Sequence, residues 1–276
     1  MAELLFGTGG VPHSAADRSV LAGVQRIREL ELDCMEVEFV RGVKITKDIA
    51  EQAGQAAAEL GVRLTCHGPY YINLNAVEPT KKEASIKRIL DTARAAHWLR
   101  AKSITFHAGY FMNQDKEQVY GVIKKALAEI TAAVAREGLD VRVSPELTGK
   151  ETQFGSLEEL LRLSSEVDNI HPCIDFAHYH ARTGGAQNSY DEFCETLEKI
   201  EKALGRQALE ELHMHVTGIN YTAKGERNHL NLPESDMKYK ELLRALKDFK
   251  VGGTLICESP NLEEDARLLK DTYLSL

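Results

Sequence analysis

Short apolar, β-branched segments alternate with longer amphipathic segments along the whole chain. The pattern predicts strands at 3–6, 34–39, 63–67, 103–107, 141–146, 172–175, 212–217 and 254–258. It predicts helices at 17–30, 47–60, 81–99, 116–136, 157–167, 190–204, 235–249 and 262–274. Repeated strand–helix alternation favours a parallel sheet with helical crossovers, and eight such units close into a (β/α)8 barrel.

Residues typical of helix ends support this division. Gly61 and Gly138 each stand between an amphipathic segment and a strand, as glycines after helices do. Ser156 and Glu159 have the spacing of a capping box. We find no linker and no internal repeat, so we predict an α/β fold with a single TIM-barrel domain over residues 1–276. The longest irregular connections, 183–189 and 218–234, both follow strands and therefore belong to the active-site face.

Composition narrows the class of protein. Of the 276 residues, 43% are hydrophobic and 28% are charged, which is typical of a globular chain with a buried core. The N-terminus lacks the pattern of a signal peptide, and no apolar run approaches the ~18 residues of a membrane span. The five cysteines are widely spaced and form no Cys-x-x-Cys pair, which favours buried free thiols in a reducing compartment. We expect a cytoplasmic monomer with no membrane partner.

The formal net charge of −8 argues mildly against a protein that coats nucleic acid. It leaves room for an enzyme that binds a few phosphates through a local basic patch and metal ions. The Gly-Thr-Gly-Gly segment at 7–10 has neither the Rossmann spacing nor the lysine of a phosphate-binding loop.

The ends of six consecutive predicted strands carry residue types that bind metals. These are His67, His107, Glu146, Asp175, His215 (with His213 two residues earlier) and Glu258. In a β/α barrel all these strand ends meet at one rim, where active sites assemble. Carboxylates buried there need nearby cations, and histidines rather than arginines accompany them. Mixed histidine and carboxylate ligands suit Zn²⁺, and also Mn²⁺ or Fe²⁺.

A second layer of potential ligands follows the strand ends. His178 lies just beyond the sixth strand, and Glu226 and His229 lie in the loop after the seventh. Together these residues exceed what one ion takes from a protein, so we predict two or three ions. Multinuclear centres are typical of phosphodiester cleavage.

Several segments that contain these residues resemble endonuclease IV, the apurinic/apyrimidinic endonuclease family within the xylose-isomerase-like barrels. The resemblance extends over about residues 60–260, in order. Its runs are His67-Gly-Pro-Tyr-Tyr-Ile-Asn-Leu, Phe106-His107-Ala-Gly, Pro145-Glu146-Leu-Thr-Gly-Lys, Cys173-Ile-Asp-Phe-Ala-His178, His215-Val-Thr-Gly, Glu226-x-x-His229 and Glu258-Ser-Pro.

The resemblance implies a DNA-repair hydrolase that cleaves 5′ to abasic sites with a trinuclear zinc centre. It implies that His67 and His107 hold a first ion and that Glu146 bridges it to a second. Glu146 would also orient or deprotonate the attacking water. The implied ligands that complete the second ion are Asp175, His215 and Glu258, and those of the third ion are His178 and His229.

The chain departs from the family at the third ion. The family has an Asp two residues before the last His, and here that position is Arg227, with Glu226 as the nearest carboxylate. We expect Glu226 to act as the substitute ligand, and Arg227, if it points at the substrate instead, to contact a phosphate. Tyr70 and Tyr71 stand where DNA-binding members have an apolar wedge, which makes them candidates for substrate binding or for packing.

Two other functions remain open. A sugar isomerase or epimerase of the same superfamily would use the four residues Glu146, Asp175, His215 and Glu258 around one ion. The four extra histidines His67, His107, His178 and His229 are superfluous for that chemistry. A non-catalytic binding protein on a degenerate barrel would be expected to have lost ligands, whereas nearly all are present here.

Overall fold

The computed structural model describes residues 3–276. Eight parallel strands form its centre. They are β1 (Leu4–Gly9), β2 (Cys34–Glu38), β3 (Arg63–His67), β4 (Ser103–Phe106), β5 (Arg142–Pro145), β6 (Cys173–Asp175), β7 (Leu212–Val216) and β8 (Gly253–Cys257). Each predicted strand is present, and β1 continues three residues further than predicted.

The strands follow the order β5-β4-β3-β2-β1-β8-β7-β6 in a single sheet. Isolated parallel bridges from Val143 to Ile170 and from Glu146 to Cys173 connect the two outer strands. The sheet is therefore a nearly closed barrel, and the prediction of a single-domain (β/α)8 fold is confirmed.

Helices surround the barrel. They are α1 (Val20–Glu29), α2 (Lys47–Leu60), α3 (Pro79–Trp98), α4 (Lys116–Arg136), α5 (Leu157–Glu166), α6 (Phe176–Arg182), α7 (Tyr190–Leu204), α8 (Arg206–Glu210), α9 (Tyr239–Asp248) and α10 (Glu263–Ser275). Gly61 ends α2 with a φ of 70°, a backbone conformation that favours glycine. Ser156 and Glu159 form the predicted capping box of α5. Among residues 3–276, no helix is long and apolar enough to cross a membrane.

The segment after β7 differs from its prediction as an irregular connection. Residues Gly218–Thr222 and Gly225–Leu230 form an antiparallel hairpin, here called the rim hairpin. The following helix begins at Tyr239 instead of 235. Ser235 does not cap it, because its hydroxyl accepts hydrogen bonds from the main-chain N–H groups of Ile219 and Met237. Ser235 therefore anchors the rim hairpin.

The apolar core lies between the strands and the helices, whereas the barrel interior is largely polar. Side chains alternate along each strand, so residues two apart share the interior. Buried inward-facing residues include Glu36, Thr65, Ser103, Thr105 and His213. Barrel interiors are usually filled by branched apolar side chains, and buried charge is costly unless it is paired. The polar interior therefore indicates a functional site at the carboxyl end of the barrel strands.

Candidate metal centre

The carboxyl end of the barrel brings together all nine predicted ligands. They form three groups, of which the first two share Glu146, and within each group the potential ligand atoms lie within 4.8 Å of one another. The groups are His67, His107 and Glu146; Glu146, Asp175, His215 and Glu258; and His178, Glu226 and His229. The strands supply most of these side chains, because their ends meet at one rim.

Glu146 lies at the junction of the first two groups. Its Oε2 is 3.1 Å from Nε2 of His67 and 3.3 Å from Nε2 of His107. Its Oε1 is 3.3 Å from Nδ1 of His215. The two oxygens of one carboxylate therefore face two different groups, as a carboxylate shared between two cations would.

Three histidines hold one ring nitrogen against a main-chain carbonyl oxygen, which leaves the other as the potential ligand atom. Nδ1 lies 2.8, 3.0 or 3.2 Å from this oxygen: His67 on Gly68, His178 on Leu147 and His229 on Glu258. A carbonyl oxygen only accepts hydrogen bonds, so each Nδ1 carries a proton and Nε2 is the nitrogen that a cation would bind. Backbone contacts of this kind orient metal-binding histidines.

Two buried polar atoms favour a cation in the second group. Asp175 Oδ2 and His215 Nδ1 are buried and have no hydrogen-bond partner among residues 3–276. Glu258 Oε1 lies 3.5 Å from the same His215 nitrogen. Buried polar atoms are normally satisfied, so this arrangement fits a divalent ion that takes both atoms as ligands.

The charges of the centre support the same conclusion. Burial lowers the pKa of His178, but the carboxylates of Asp175 and Glu146 outweigh it and raise the pKa to about 10. Burial opposes ionisation of Glu146, yet His107 and its other histidine neighbours hold the pKa of Glu146 well below the usual value. In the metal-free protein, protons on histidines therefore compensate the carboxylates, and a divalent cation would replace those protons.

The rim hairpin contains a β-bulge. Its strands pair Asn220 with Asn228 and then Tyr221 with Glu226, so the register skips Arg227. A bulge adds one residue to one strand and interrupts the alternation of side chains. Without it, residues three apart would point to opposite faces.

The bulge places Glu226 and His229 on the same face of the hairpin, toward His178. Glu226 Oε2 lies 3.6 Å from Nε2 of His178, whereas Arg227 is exposed. Gly149 makes room for this carboxylate, since a Cβ there would come within 2.7 Å of Glu226 Cβ. The hairpin therefore brings Glu226 to the position that the sequence left uncertain.

Sequence reasoning missed two carboxylates on β2. Glu36 is fully buried, and its two oxygens lie 2.9 Å from Nε2 of His215 and 2.9 Å from Nε2 of His213. Burial raises the pKa of Glu38 to about 8, and its potential ligand atom groups with those of Glu36 and Glu258. The available signal was two charged residues at alternate positions of an apolar strand, which places both inside the barrel.

The candidate substrate-binding residues lie on the outside of this centre. Tyr70 and Tyr71 follow β3 and are 63% and 66% exposed. The ring of Tyr70 is 6.3 Å from that of His67. Neither tyrosine is packed into the core, so both are accessible to a ligand at the rim.

Comparisons with known proteins agree with the fold. Residues 24–272 match the family described as Xylose isomerase-like TIM barrel. The chain is 45% identical to an uncharacterized protein of Methanocaldococcus jannaschii, over 99% of this chain and 98% of that protein. It is 24% identical to a probable endonuclease 4 of Mycoplasma pneumoniae, over 66% of this chain and 62% of that protein. The chain belongs to the xylose isomerase-like TIM barrel family, which confirms the predicted superfamily.

Solved structures with this fold carry different activities in their names. A D-tagatose 3-epimerase-like protein superposes with a TM-score of 0.75 at 20% identity, over 98% of this chain and 97% of that one. Endonuclease IV from Thermus thermophilus superposes with a TM-score of 0.69 at 18% identity, over 97% of this chain and 98% of that one. These structural similarities establish the fold, and the reaction has to be inferred from the residues of the site.

Proposed function

We propose that this protein is a metal-dependent DNA phosphodiester hydrolase that cleaves 5′ to abasic sites in DNA repair. The observation that carries the proposal is the third group, His178, Glu226 and His229, beside the four-residue group around Glu146. A single-ion enzyme has no use for a further cluster of ligands, whereas phosphodiester hydrolysis commonly employs several ions.

The ligand groups suggest how the ions would be held. His67 and His107 would bind one ion and share Glu146 with a second ion. Asp175, His215 and Glu258 would complete the second site, and the hairpin group would form the third. Zinc suits this mixture of nitrogen and carboxylate ligands, and manganese or iron would also be accepted. Bound ions would lower the pKa of water and neutralise charge on the scissile phosphate.

The protein's own residues would perform the remaining steps. Glu146 would orient the attacking water or accept its proton. Tyr70 and Tyr71, exposed at the rim, would stack where a base is missing from the duplex. Arg227, exposed on the bulge of the rim hairpin, would contact a phosphate.

The direct test is incision of a labelled duplex that contains one synthetic abasic site. Zinc-loaded protein is expected to cut that strand on the 5′ side of the lesion and to leave an undamaged duplex of the same sequence intact. Protein that carries its full metal complement but produces no incision would overturn the proposal.

A single-ion sugar epimerase is the second candidate. The four residues Glu146, Asp175, His215 and Glu258 would suffice for it, and it is favoured by the likeness to a D-tagatose 3-epimerase-like protein and by the net charge of −8. Incubation with a panel of ketohexoses, followed by chromatography of the sugars, tests this candidate. Epimerisation by protein holding one ion per chain would favour it over the nuclease.

A further inference from the structure

A buried polar chain crosses the barrel interior beneath the metal centre. Glu36 Oε1 lies 2.9 Å from Nε2 of His215, and Glu36 Oε2 lies 2.9 Å from Nε2 of His213. The hydroxyl of Thr65 donates to Glu36 Oε2 at 2.7 Å, and the Ser103 hydroxyl is 2.9 Å from Nδ1 of His213. All five residues are buried, and of these only His215 belongs to the proposed ligand set.

Thr65 donates a hydrogen bond to Glu36, whereas Nε2 of each histidine forms a close charge contact with this carboxylate. The two Nε2 atoms lie 3.3 Å apart, so both rings turn the same atom toward Glu36. On the other side of its ring, Nδ1 of His215 faces Glu146 and Glu258.

We propose that Glu36 is the positioning residue of the metal centre: its contact with Nε2 of His215 turns the ring so that Nδ1 is aimed at the ion. The other histidines with a fixed ring, such as His67 and His178, use main-chain carbonyls for this purpose. A carboxylate partner orients the ring and also makes the ligand nitrogen more basic. Glu36 thus supports the second ion without touching it.

The inference rests on the metal centre of the proposed function but not on its substrate. The same role would hold in a nuclease and in an epimerase, because both would use His215. The rest of the polar chain, from Thr65 to Ser103, serves to keep Glu36 and His213 in place.

The test is the Glu36→Gln variant. A carboxamide keeps the shape of the side chain but carries no charge, and it presents an NH₂ group in place of one carboxylate oxygen. Without the carboxylate, the ring of His215 is expected to lose its fixed orientation. The dissociation constant of the ion at this site should rise by about 10–100-fold, and that ion should be lost first on dialysis against a chelator.

Two readouts separate positioning from general stabilisation of the fold. In the metal-loaded protein, long-range ¹H–¹⁵N spectra should report an ion on Nδ1 of His215, and this signal should change in Glu36→Gln. Glu36→Asp, which keeps the charge, should restore much of the metal affinity. Thr105→Val is the matched control, because Thr105 is buried in the same interior and its hydroxyl has no hydrogen-bond partner in the described chain.

The outcomes also distinguish this inference from the proposed function. If the unmodified protein binds no ion, the metal centre itself is wrong. If it binds its ions and Glu36→Gln binds them with unchanged dissociation constants and an unchanged His215 spectrum, the positioning role is wrong. If Glu36→Gln does not fold, Thr65→Val, which removes one donor from Glu36, should still weaken metal binding by a smaller factor.

Discussion

The metal centre consists of two regions that are built differently. The four residues Glu146, Asp175, His215 and Glu258 stand at the ends of barrel strands, and the first three are almost completely buried. Two members of the third group, Glu226 and His229, instead belong to the rim hairpin outside the barrel, and the Glu226 side chain is 18% exposed. Under the proposed function, the barrel residues would hold an ion in either candidate enzyme, whereas the hairpin residues would decide which reaction the site supports.

The two regions also differ in how firmly they are held. The barrel strands have hydrogen-bonded neighbours on both sides. The rim hairpin rests on a small apolar cluster of Ile219, Ala177 and Ala181, and Tyr221 donates a hydrogen bond to Asp236 at 2.7 Å. Changes to the hairpin should therefore remove an ion without unfolding the barrel.

Glu146→Gln should have the largest effect, because this carboxylate is shared by two ligand groups. We expect the rate of incision at an abasic site to fall by about 10²–10⁴-fold or more, the range for loss of a general base. Binding of the abasic duplex, measured by fluorescence anisotropy, should change little. Unchanged turnover would exclude the proposed role of Glu146.

Glu226→Gln should come next and should affect only the hairpin group. The expected result is loss of one zinc ion per chain and a decrease in the incision rate on the order of 100-fold, comparable to the loss of one preorganised electrostatic contact. The four barrel residues should keep their ion. Zinc content and single-turnover kinetics measure the two effects.

The bulge supplies a control for this prediction. The double variant Glu226→Gln with Arg227→Asp restores a carboxylate two residues before His229, but on the bulged residue, which is exposed. It should therefore fail to recover the ion. Full recovery would mean that the bulge does not determine which side chain faces the centre.

Arg227→Ala should have a smaller effect and a different signature. A charge-assisted hydrogen bond to phosphate contributes about 1.5–3 kcal/mol, so KM for the abasic duplex should rise by roughly tenfold or more. The zinc content should stay the same, because the bulge and Glu226 remain. Steady-state kinetics at two salt concentrations, together with metal analysis, would check both expectations. A lost ion would contradict the assignment of Arg227 to the substrate.

The smallest expected effect concerns the metal-free protein at alkaline pH. The pKa of His178 is raised from 6.5 to about 10 by its carboxylate neighbours. A histidine whose pKa is higher in the folded than in the unfolded chain stabilises the fold fully at a pH below its unfolded pKa. This stabilisation is lost as the pH rises toward its pKa in the folded chain. The Tm of chelator-treated protein should therefore fall between pH 7 and pH 10, whereas metal-loaded protein should show a weaker dependence. A Tm that rises over this range would contradict the charge pattern.

The sequence predicted the barrel and the grouping of potential ligands at its rim because both depend on local patterns. Eight strand–helix alternations and a histidine or carboxylate at the end of six strands are visible without coordinates. Ser156 and Glu159 were recognisable as a cap for the same reason, since their contacts lie within four residues.

The features that the sequence did not predict depend on contacts between residues that are far apart in the chain. The rim hairpin is short and polar, and the bulge at Arg227 exists only in the pairing of its two strands. The alternation along β2 could have placed Glu36 inside the barrel, but its partners His213 and His215 lie far along the chain. Pairing them with Glu36 required knowledge of which strands face one another across the barrel.

The number of zinc ions per chain tests the central claim most directly. Purified protein, loaded with zinc and freed of excess metal, would be measured by elemental analysis against an accurate protein concentration. We predict close to three ions per chain for the unmodified protein and close to two for Glu226→Gln. One ion per chain in the unmodified protein would contradict the proposed hydrolase and would favour the sugar epimerase.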